Sequence, residues 1–295
     1  MKSVKATVAV VIFSMILIAV LAYVLVSHNK PIQASENYKI VKTWPLAREL
    51  EEISAITWLS DNTIACVQDE DGLIFIYDLQ QSKIIDRINF AGPGDYEGIA
   101  VINDDAYVMR SDGRLYKVSR FRESEQKSTS HFQTNFTARN DMESLATDAN
   151  GNMLLTIPKK KDKNENSKGI YQINPTTEKT STSPFITIKM NDSLFSRDEQ
   201  KAVRTRFSPS DIAVHPQTGD FYMIEGIHPK LMVLDREGSV RDIIFLDTKN
   251  FAQPEGITIT PEGRIFIANE GNAGIATIHE VNIVIDGDIQ LTEKQ

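Results

Sequence analysis

The hydrophobic and polar positions of the chain form short apolar runs separated by polar turns. Five times, two polar or small residues precede Ile or Leu and then Thr or Ala, at Ser54–Thr57, Glu97–Ala100, Glu143–Ala146, Ser210–Ala213 and Glu255–Thr258. These segments begin 43, 46, 67 and 45 residues apart. A polar turn and a second apolar run follow each segment, and most units add a third and a fourth run. Short β-rich runs joined by turns predict antiparallel meanders.

A repeat of roughly 45 residues with four strands is typical of a propeller blade. We therefore predict an all-β fold, a five-bladed β-propeller of four-stranded antiparallel blades over residues 38–285. A β-sandwich is the alternative, but it does not repeat its inner-strand motif at nearly constant spacing. The last unit lacks a strong fourth strand, so we expect residues 38–45 to close that blade. Residues 286–295 could close it instead, but they are short and polar and are assigned as a C-terminal tail.

The N-terminal region has the pattern of a membrane anchor. Lys2 and Lys5 precede an apolar run at residues 6–26. At about 1.5 Å per residue, such a helix spans roughly 30 Å, the thickness of a bilayer core. We predict one transmembrane helix within residues 1–30 and a linker at 31–37. A cleaved signal peptide is the alternative, although its apolar core is usually about 7–15 residues long.

The positions of the early lysines predict where the propeller lies. Lysines concentrate on the cytoplasmic side of a membrane span, and here two of them come before it. The N-terminus is then cytoplasmic. We expect a single-pass protein of the cell inner membrane, with its propeller on the extracytoplasmic side, which is the periplasm in a Gram-negative cell.

Composition and charge narrow the classes of partner. With 24% charged and 41% hydrophobic residues, the chain is not a disordered one. Its single cysteine, Cys66, excludes a disulfide framework and a thiolate zinc cluster. The net charge of −8 argues against a nucleic-acid partner, which favours a basic face. An acidic exported domain suits divalent cations or cationic ligands, although solubility alone also explains the charge.

Equivalent positions on the inner strands of a propeller form a ring at one end of its channel. Here the ring consists of Ser54, Glu97, Glu143, Ser210 and Glu255. Three converging carboxylates repel each other, so a cation neutralises them or one takes a proton. Calcium accepts about six to eight oxygen ligands, and we predict that Glu97, Glu143 and Glu255 bind one Ca²⁺. The alternative is that these side chains accept hydrogen bonds from amides of the next blade.

A second group of polar residues follows the second strand of each unit. It consists of Asp69, Glu70, Arg110, Asp112, Lys159, Glu225, Asn269 and Glu270. Because the second strand runs antiparallel to the first, these residues are predicted at the same mouth. The candidate ligand-binding residues there are Ser54, Arg110, Lys159, Ser210, Glu225, Asn269 and Glu270. Arg110 or Lys159 could neutralise a glutamate in place of a metal, or hold an anionic ligand. Salt bridges between blades are the alternative.

Three segments carry a family resemblance: Gly94–Ala100, Ser208–Gly219 and Gln253–Ile257. Over about residues 38–283 the chain resembles the SdiA-regulated, or YjiK-like, propeller family. That family is distantly related to NHL-repeat and calcium-dependent phosphotriesterase-like propellers. The resemblance implies a five-bladed propeller, a bound calcium ion and no established enzymatic activity.

Two hypotheses for function follow. The first is a membrane-anchored, extracytoplasmic, calcium-binding propeller that acts as a binding or interaction module for an unidentified small molecule or envelope protein. The second is a metal-dependent hydrolase of esters or phosphoesters, in which Ca²⁺ would polarise the reacting oxygen. The sequence contains no Gly-x-Ser-x-Gly motif and indicates no clear general base. The binding module is therefore the first choice.

Overall fold

The computed structural model describes residues 34–123, 125–160, 167–189, 207–271 and 274–285. They form a five-bladed propeller in which each blade is an antiparallel sheet. The first strand of the chain, β1 (Tyr38–Pro45), belongs to the last blade. A single 3-10 turn, Arg48–Leu50, leads from it into the first blade.

In blades 1 to 4 the strands follow one another in chain order from the inside of the blade to the outside. Blade 1 contains β2 (Ile53–Trp58), β3 (Thr63–Gln68), β4 (Leu73–Asp78) and β5 (Lys83–Asn89). Blade 2 contains β6 (Tyr96–Ile102), β7 (Asp105–Arg110), β8 (Arg114–Ser119) and β9 (Ser128–Gln133).

The third blade departs from the four-strand pattern. It contains β10 (Ala146–Thr147), β11 (Leu154–Thr156), β12 (Ser167–Asn174), β13 (Lys179–Thr180) and β14 (Ile186–Lys189). Both β13 and β14 pair with β12, so they share the outer position.

The last two blades return to four strands each. Blade 4 contains β15 (Asp211–Val214), β16 (Phe221–Glu225), β17 (Lys230–Leu234) and β18 (Val240–Phe245). Blade 5 contains β19 (Pro254–Ile259), β20 (Ile265–Asn269), β21 (Thr277–Ile283) and β1.

The hydrophobic core lies between adjacent blades. Inner strands β2, β6, β10, β15 and β19 contact one another in a closed ring. Five buried clusters each combine residues of two neighbouring blades; Ile56 of blade 1, for example, packs with Phe266 of blade 5. The second strand of blade 4, β16, is buried along its whole length, whereas the outer strand of blade 1, β5, is mostly exposed. Strands buried on both faces read as continuous apolar runs, which explains the inner-strand motif of the sequence.

The N-terminal strand closes the ring. Strand β1 pairs antiparallel with β21, with Tyr38 opposite Ile283 and Pro45 opposite Thr277. Trp44 Nε1 donates to the carbonyl of Leu79 in blade 1 over 2.7 Å. The prediction that residues 38–45 complete the last blade is confirmed. Closure of this kind pairs one edge of the last sheet and couples the two ends of the domain.

The predicted anchor at residues 1–30, residues 31–33 of the linker and the tail at 286–295 lie outside the described residues. Within the part of the chain that the structure describes, there is no helix long and apolar enough to cross a membrane.

Candidate functional site

A one-residue irregularity of the inner strands sets the direction of the ring side chains. The register shifts between Ile53 and Ala55, between Tyr96 and Gly98, and between Pro254 and Gly256. Each shift leaves one residue without a cross-strand partner: Ser54, Glu97 and Glu255. A β-bulge of this kind re-aims a side chain and is frequent beside functional sites.

Blade 3 has the same one-residue offset next to Glu143, the third of the ring glutamates. Met142 bridges to Pro158, whereas the regular pairing of β10 begins with Ala146 opposite Leu155. Glu143 lies in this offset. The ring glutamates of blades 2, 3 and 5 thus come from equivalent positions at the same end of the channel.

The inner strands approach each other closely just below the ring. A Cβ on Gly98 would lie 2.8 Å from the Leu145 Cβ, and one on Gly256 would lie 2.9 Å from the amide nitrogen of Ile56. Glycine is required at both positions because neighbouring blades leave no room for a side chain. The close approach brings the glutamates of three blades together.

The three ring glutamates repel one another. Burial, together with the negative charges of Glu143, Asp95 and Glu255, raises the pKa of Glu97 to about 10. Burial raises the pKa of Glu143 to about 8, although Lys159 acts in the opposite direction. Burial also raises the pKa of Glu255. Burial is the largest cause of each shift, and repulsion by neighbouring carboxylates adds to it for Glu97 and Glu143.

Lys159 is the cation that the chain itself places in this cluster. Its Nζ contacts both carboxylate oxygens of Glu143, and the side chains are 18% and 10% exposed. Burial lowers the pKa of Lys159, but attraction to Glu143, Glu255 and Glu97 outweighs it and leaves the pKa above its usual value. Lys168 Nζ donates to the carbonyls of Pro158 and Lys159, which fixes the backbone beside the lysine.

The ring serines and Glu255 lie in local hydrogen bonds. Ser54 Oγ donates to the carbonyl of Glu52 over 3.4 Å. Ser210 Oγ accepts from the Gly226 amide over 2.9 Å, and its hydroxyl also hydrogen-bonds Glu255. The hydroxyl of Ser210 therefore helps to hold the side chain of Glu255 in place.

Three of the second-group residues form ion pairs away from the ring glutamates. Arg110 forms a two-pronged ion pair with Asp112, with contacts of 3.0 and 2.5 Å. Glu225 is buried and pairs with Lys230 over 2.5 Å. Each pair lies within a single blade, so neither is the salt bridge between blades that was the alternative.

The second-group residues of blade 5 lie beside the ring. Asn269 Oδ1 accepts from the Gln253 amide over 3.0 Å. Burial and the charges of Glu255, Asp69 and Glu52 raise the pKa of Glu270 to about 7. The side chain of Gln253 hydrogen-bonds both Glu270 and Glu255, which links the second group to the ring.

Sequence analysis did not identify Asp211, Gln253 or Asp95 as members of the site. Asp211 follows the ring residue Ser210 and is 1% exposed. Gln253 bridges two carboxylates, and Asp95 hydrogen-bonds Glu97. The signal available for Asp211 was its place in the repeat, where the other units have Ala55, Gly98, Ser144 and Gly256.

The donor atoms of the mouth suit a hard cation such as calcium. They are carboxylate oxygens, and one buried oxygen, Oδ1 of Asp211, has no hydrogen-bond partner among the described residues. Within that part of the chain, no three Asp, Glu, His or Cys side chains stand ready in a metal-binding arrangement. A cation would therefore have to draw Glu97, Glu143 and Glu255 together and displace the ammonium of Lys159.

The opposite end of the channel has a different chemistry. A cavity of about 380 Å³ opens there. Its lining includes one aliphatic residue of the repeated motif from each blade: Ile56, Ile99, Leu145, Ile212 and Ile257. Among the described residues, the charged cluster therefore lies at only one of the two mouths of the channel.

Comparison with known proteins agrees with the fold. The model of the SdiA-regulated family matches residues 29–275. Comparison with curated proteins gives no match. Among solved structures, glutaminyl cyclase of Myxococcus xanthus is similar, with 12% identity, a TM-score of 0.57, and coverage of 87% of this chain and 99% of that chain. Virginiamycin B lyase of Staphylococcus aureus has 12% identity, a TM-score of 0.44, and coverage of 82% and 73% respectively. At such identity, the likeness to glutaminyl cyclase shows the fold alone.

Proposed function

The chain belongs to the SdiA-regulated family, and we propose that it is a membrane-tethered binding module that holds a calcium ion at the acidic mouth of its propeller. One observation carries this proposal. Three glutamates from three blades meet at one mouth with one lysine, and one ammonium does not neutralise three carboxylates. Bound calcium would supply a positive centre to which an anionic group of a small molecule or an envelope protein binds.

Charge is the physical reason for a divalent ion. The raised pKa values of Glu97 and Glu143 mean that, without a cation, protons partly neutralise the cluster near neutral pH. A divalent cation replaces those protons and removes the repulsion among the carboxylates. Glu97, Glu143 and Glu255 would hold the ion, with carbonyls and water as further oxygen ligands.

Lys159 makes the proposal sharply testable because it competes with the ion for Glu143. Substituting Lys159→Met removes the competing ammonium and leaves a side chain of similar length. We expect this variant to bind calcium about tenfold more tightly or better, since 1.4 kcal/mol of lost competition corresponds to a factor of ten. The measurement is calorimetric titration of the purified full-length chain in detergent.

Lys160→Met is the matched control. Lys160 is the next residue, its side chain is 70% exposed, and it pairs with Asp141 over 2.9 Å. The same loss of charge there should leave the calcium affinity within about twofold of wild type, because Lys160 does not contact the ring glutamates. Absence of calcium binding at millimolar concentration in both wild type and Lys159→Met would refute the calcium proposal.

The tether is supported by the apolar run at residues 6–26. We expect fractionation to find the uncleaved chain in the membrane pellet; a soluble protein that begins near Ser35 would contradict the tether.

The hydrolase hypothesis requires the same metal. It therefore remains the alternative only if calcium binds. Turnover of a phosphoester or lactone by the calcium-loaded chain, lost on chelation, would favour the hydrolase over the binding module.

A further inference from the structure

At the end of the channel opposite the glutamates, one blade differs from the other four. Two positions after each aliphatic residue of the repeated motif, four blades line the cavity with half-buried apolar side chains: Trp58, Val101, Val214 and Ile259. In blade 3 the same position is Thr147, and Asp148 follows it. Asp148 is half-buried and is the one charged residue among the described residues that line the cavity. The cavity therefore has apolar walls on four blades and a carboxylate on blade 3.

The turn between β10 and β11 fixes the direction of this carboxylate. Asp148 Oδ1 accepts from the amides of Asn152 and Met153 over 2.7 and 3.0 Å. The amide of Gly151 donates to the carbonyl of Asp148 over 2.9 Å, and Gly151 has a φ of +68°, which favours glycine. These turn bonds occupy Oδ1 and leave Oδ2 for a ligand. A carboxylate that backbone amides already orient loses little freedom when it binds.

The size and the walls of the cavity specify the class of ligand. Its volume of about 380 Å³ is within the range of small-molecule pockets, about 300–1,000 Å³. Calcium accepts about six to eight oxygen ligands, whereas most of the lining residues have apolar side chains. An organic cation needs one carboxylate and an apolar surface, and both are present here. An anion would be repelled by Asp148.

Trp58 adds an aromatic wall to the same cavity. Its ring is stacked on that of Phe266, with the centroids 5.7 Å apart and the planes at 13°. Its backbone amide donates to Thr258 Oγ1 over 2.9 Å, which fixes the end of β2 against blade 5. Aromatic rings attract organic cations through their negative faces. The residue is thus held in place on the wall of a cavity that already contains a carboxylate.

We propose that this cavity binds a small organic amine, with its ammonium on Oδ2 of Asp148 and its apolar body against Trp58 and the aliphatic ring of the channel. The proposal goes beyond the proposed function, because it concerns the other mouth and requires no calcium. The propeller then has two separate sites, one at each end of its channel.

The test compares three probes of equal length and different charge: hexylamine, hexan-1-ol and hexanoate. Each is titrated calorimetrically into the full-length chain in detergent, near neutral pH and with chelator present, against a blank of detergent alone. Hexylamine is then a cation, as a lysine side chain is. We expect it to bind about tenfold more tightly than hexan-1-ol or better, because an ion-paired hydrogen bond is added to the same apolar contact. Hexanoate should bind no better than the alcohol.

Asp148→Asn removes the charge and keeps an oxygen for the two turn amides. It should weaken hexylamine at least tenfold and leave hexan-1-ol within about twofold of wild type. Asp235→Asn is the matched control, because Asp235 Oδ1 accepts from the amides of Glu237 and Ser239 over 3.1 and 2.7 Å in the same kind of turn. Asp235 does not line the cavity, so this variant should bind hexylamine as wild type does.

Tryptophan emission locates the bound amine. The chain contains two tryptophans, and Trp58 lines the cavity whereas Trp44 is 3% exposed. Hexylamine should change the emission of wild type, and Trp58→Phe should abolish that change. A change that survives Trp58→Phe would place the amine elsewhere, for example at the acidic mouth, and would overturn the proposal.

The calorimetric outcomes are equally decisive. No binding of hexylamine at millimolar concentration, equal binding of the amine and the alcohol, or an affinity that Asp148→Asn leaves within about twofold would each overturn the site. Should Asp148→Asn not fold, Asp148→Ser replaces it, since a serine hydroxyl also accepts from turn amides. The same twofold limit then decides.

Discussion

Two lysine–glutamate ion pairs of the propeller are similar in geometry, but their lysines have pKa shifts in opposite directions. Lys230 and Glu225 are paired at 0% and 3% exposure, and Lys159 and Glu143 at 18% and 10%. Burial lowers the pKa of Lys230 despite the attraction of Glu225. The pKa of Lys159 is raised, since three carboxylates act on it instead of one. The number of carboxylates around each lysine therefore decides the direction of its pKa shift.

The surroundings explain the difference. Lys230 lies directly opposite Glu225 in the β16–β17 hairpin, and its Nζ is 5.9 Å from the centroid of the Phe207 ring. That environment is apolar and holds one charge of each sign. Lys159 instead follows β11 at the channel mouth. Positions of similar placement in blades 1 and 5 have acids, Asp69 and Glu270, and burial and neighbouring acids raise their pKa values to about 6 and about 7.

The largest predicted effect comes from breaking the fully buried pair. Glu225→Gln leaves the ammonium of Lys230 buried without a counter-ion and should lower the free energy of unfolding by about 3–5 kcal/mol. Glu143→Gln should cost clearly less, because Lys159 keeps the attraction of Glu97 and Glu255. Urea unfolding monitored by circular dichroism, with chelator present, measures both values.

The double variant Glu225→Gln with Lys230→Met is the control for this prediction. Removing both charges leaves no buried unpaired ion, so most of the stability should return. If Glu143→Gln destabilises the protein as much as Glu225→Gln does, the two pairs are equivalent and the contrast between them is wrong.

The repeat pattern was sufficient to predict the blades, since inner strands buried on both faces need an apolar run in every unit. It also predicted the closing strand, because the last unit lacks a fourth apolar run and residues 38–45 supply one. The ring positions followed from the same alignment. The blades, the closing strand and the ring positions all depend on the order of apolar and polar residues along the chain, which a single sequence contains.

The contacts within the site depend on features that the sequence pattern does not contain. The direction of Glu97 and Glu255 is set by β-bulges, which shift the register by one residue without a sequence signature of their own. In blade 4 the repeat alignment predicts Ser210 as the ring residue, whereas its neighbour Asp211 has the buried carboxylate. Pairing of Lys159 with Glu143, and of Arg110 with Asp112, depends on side-chain packing in three dimensions.

Per pH unit, the smallest predicted effect is a pH dependence of stability at the acidic mouth. The pKa of Glu97 is about 10 in the folded protein, well above its ordinary value of 4.5. The folded state therefore keeps a proton that the unfolded state loses, so stability is full below about pH 4.5 and is lost as the pH rises toward 10. With chelator present, the free energy of unfolding should fall between pH 5 and 9 by at most about 1.4 kcal/mol per pH unit for this proton. Glu97→Gln should make the profile shallower, with a remainder from Glu143 and Glu270, whose pKa values are also raised. Glu262→Gln should leave the slope unchanged. A wild-type profile that is already flat in that range would mean that Glu97 ionises as an ordinary carboxyl does. The contrast between the mouth and the pair of Glu225 with Lys230 would then be wrong.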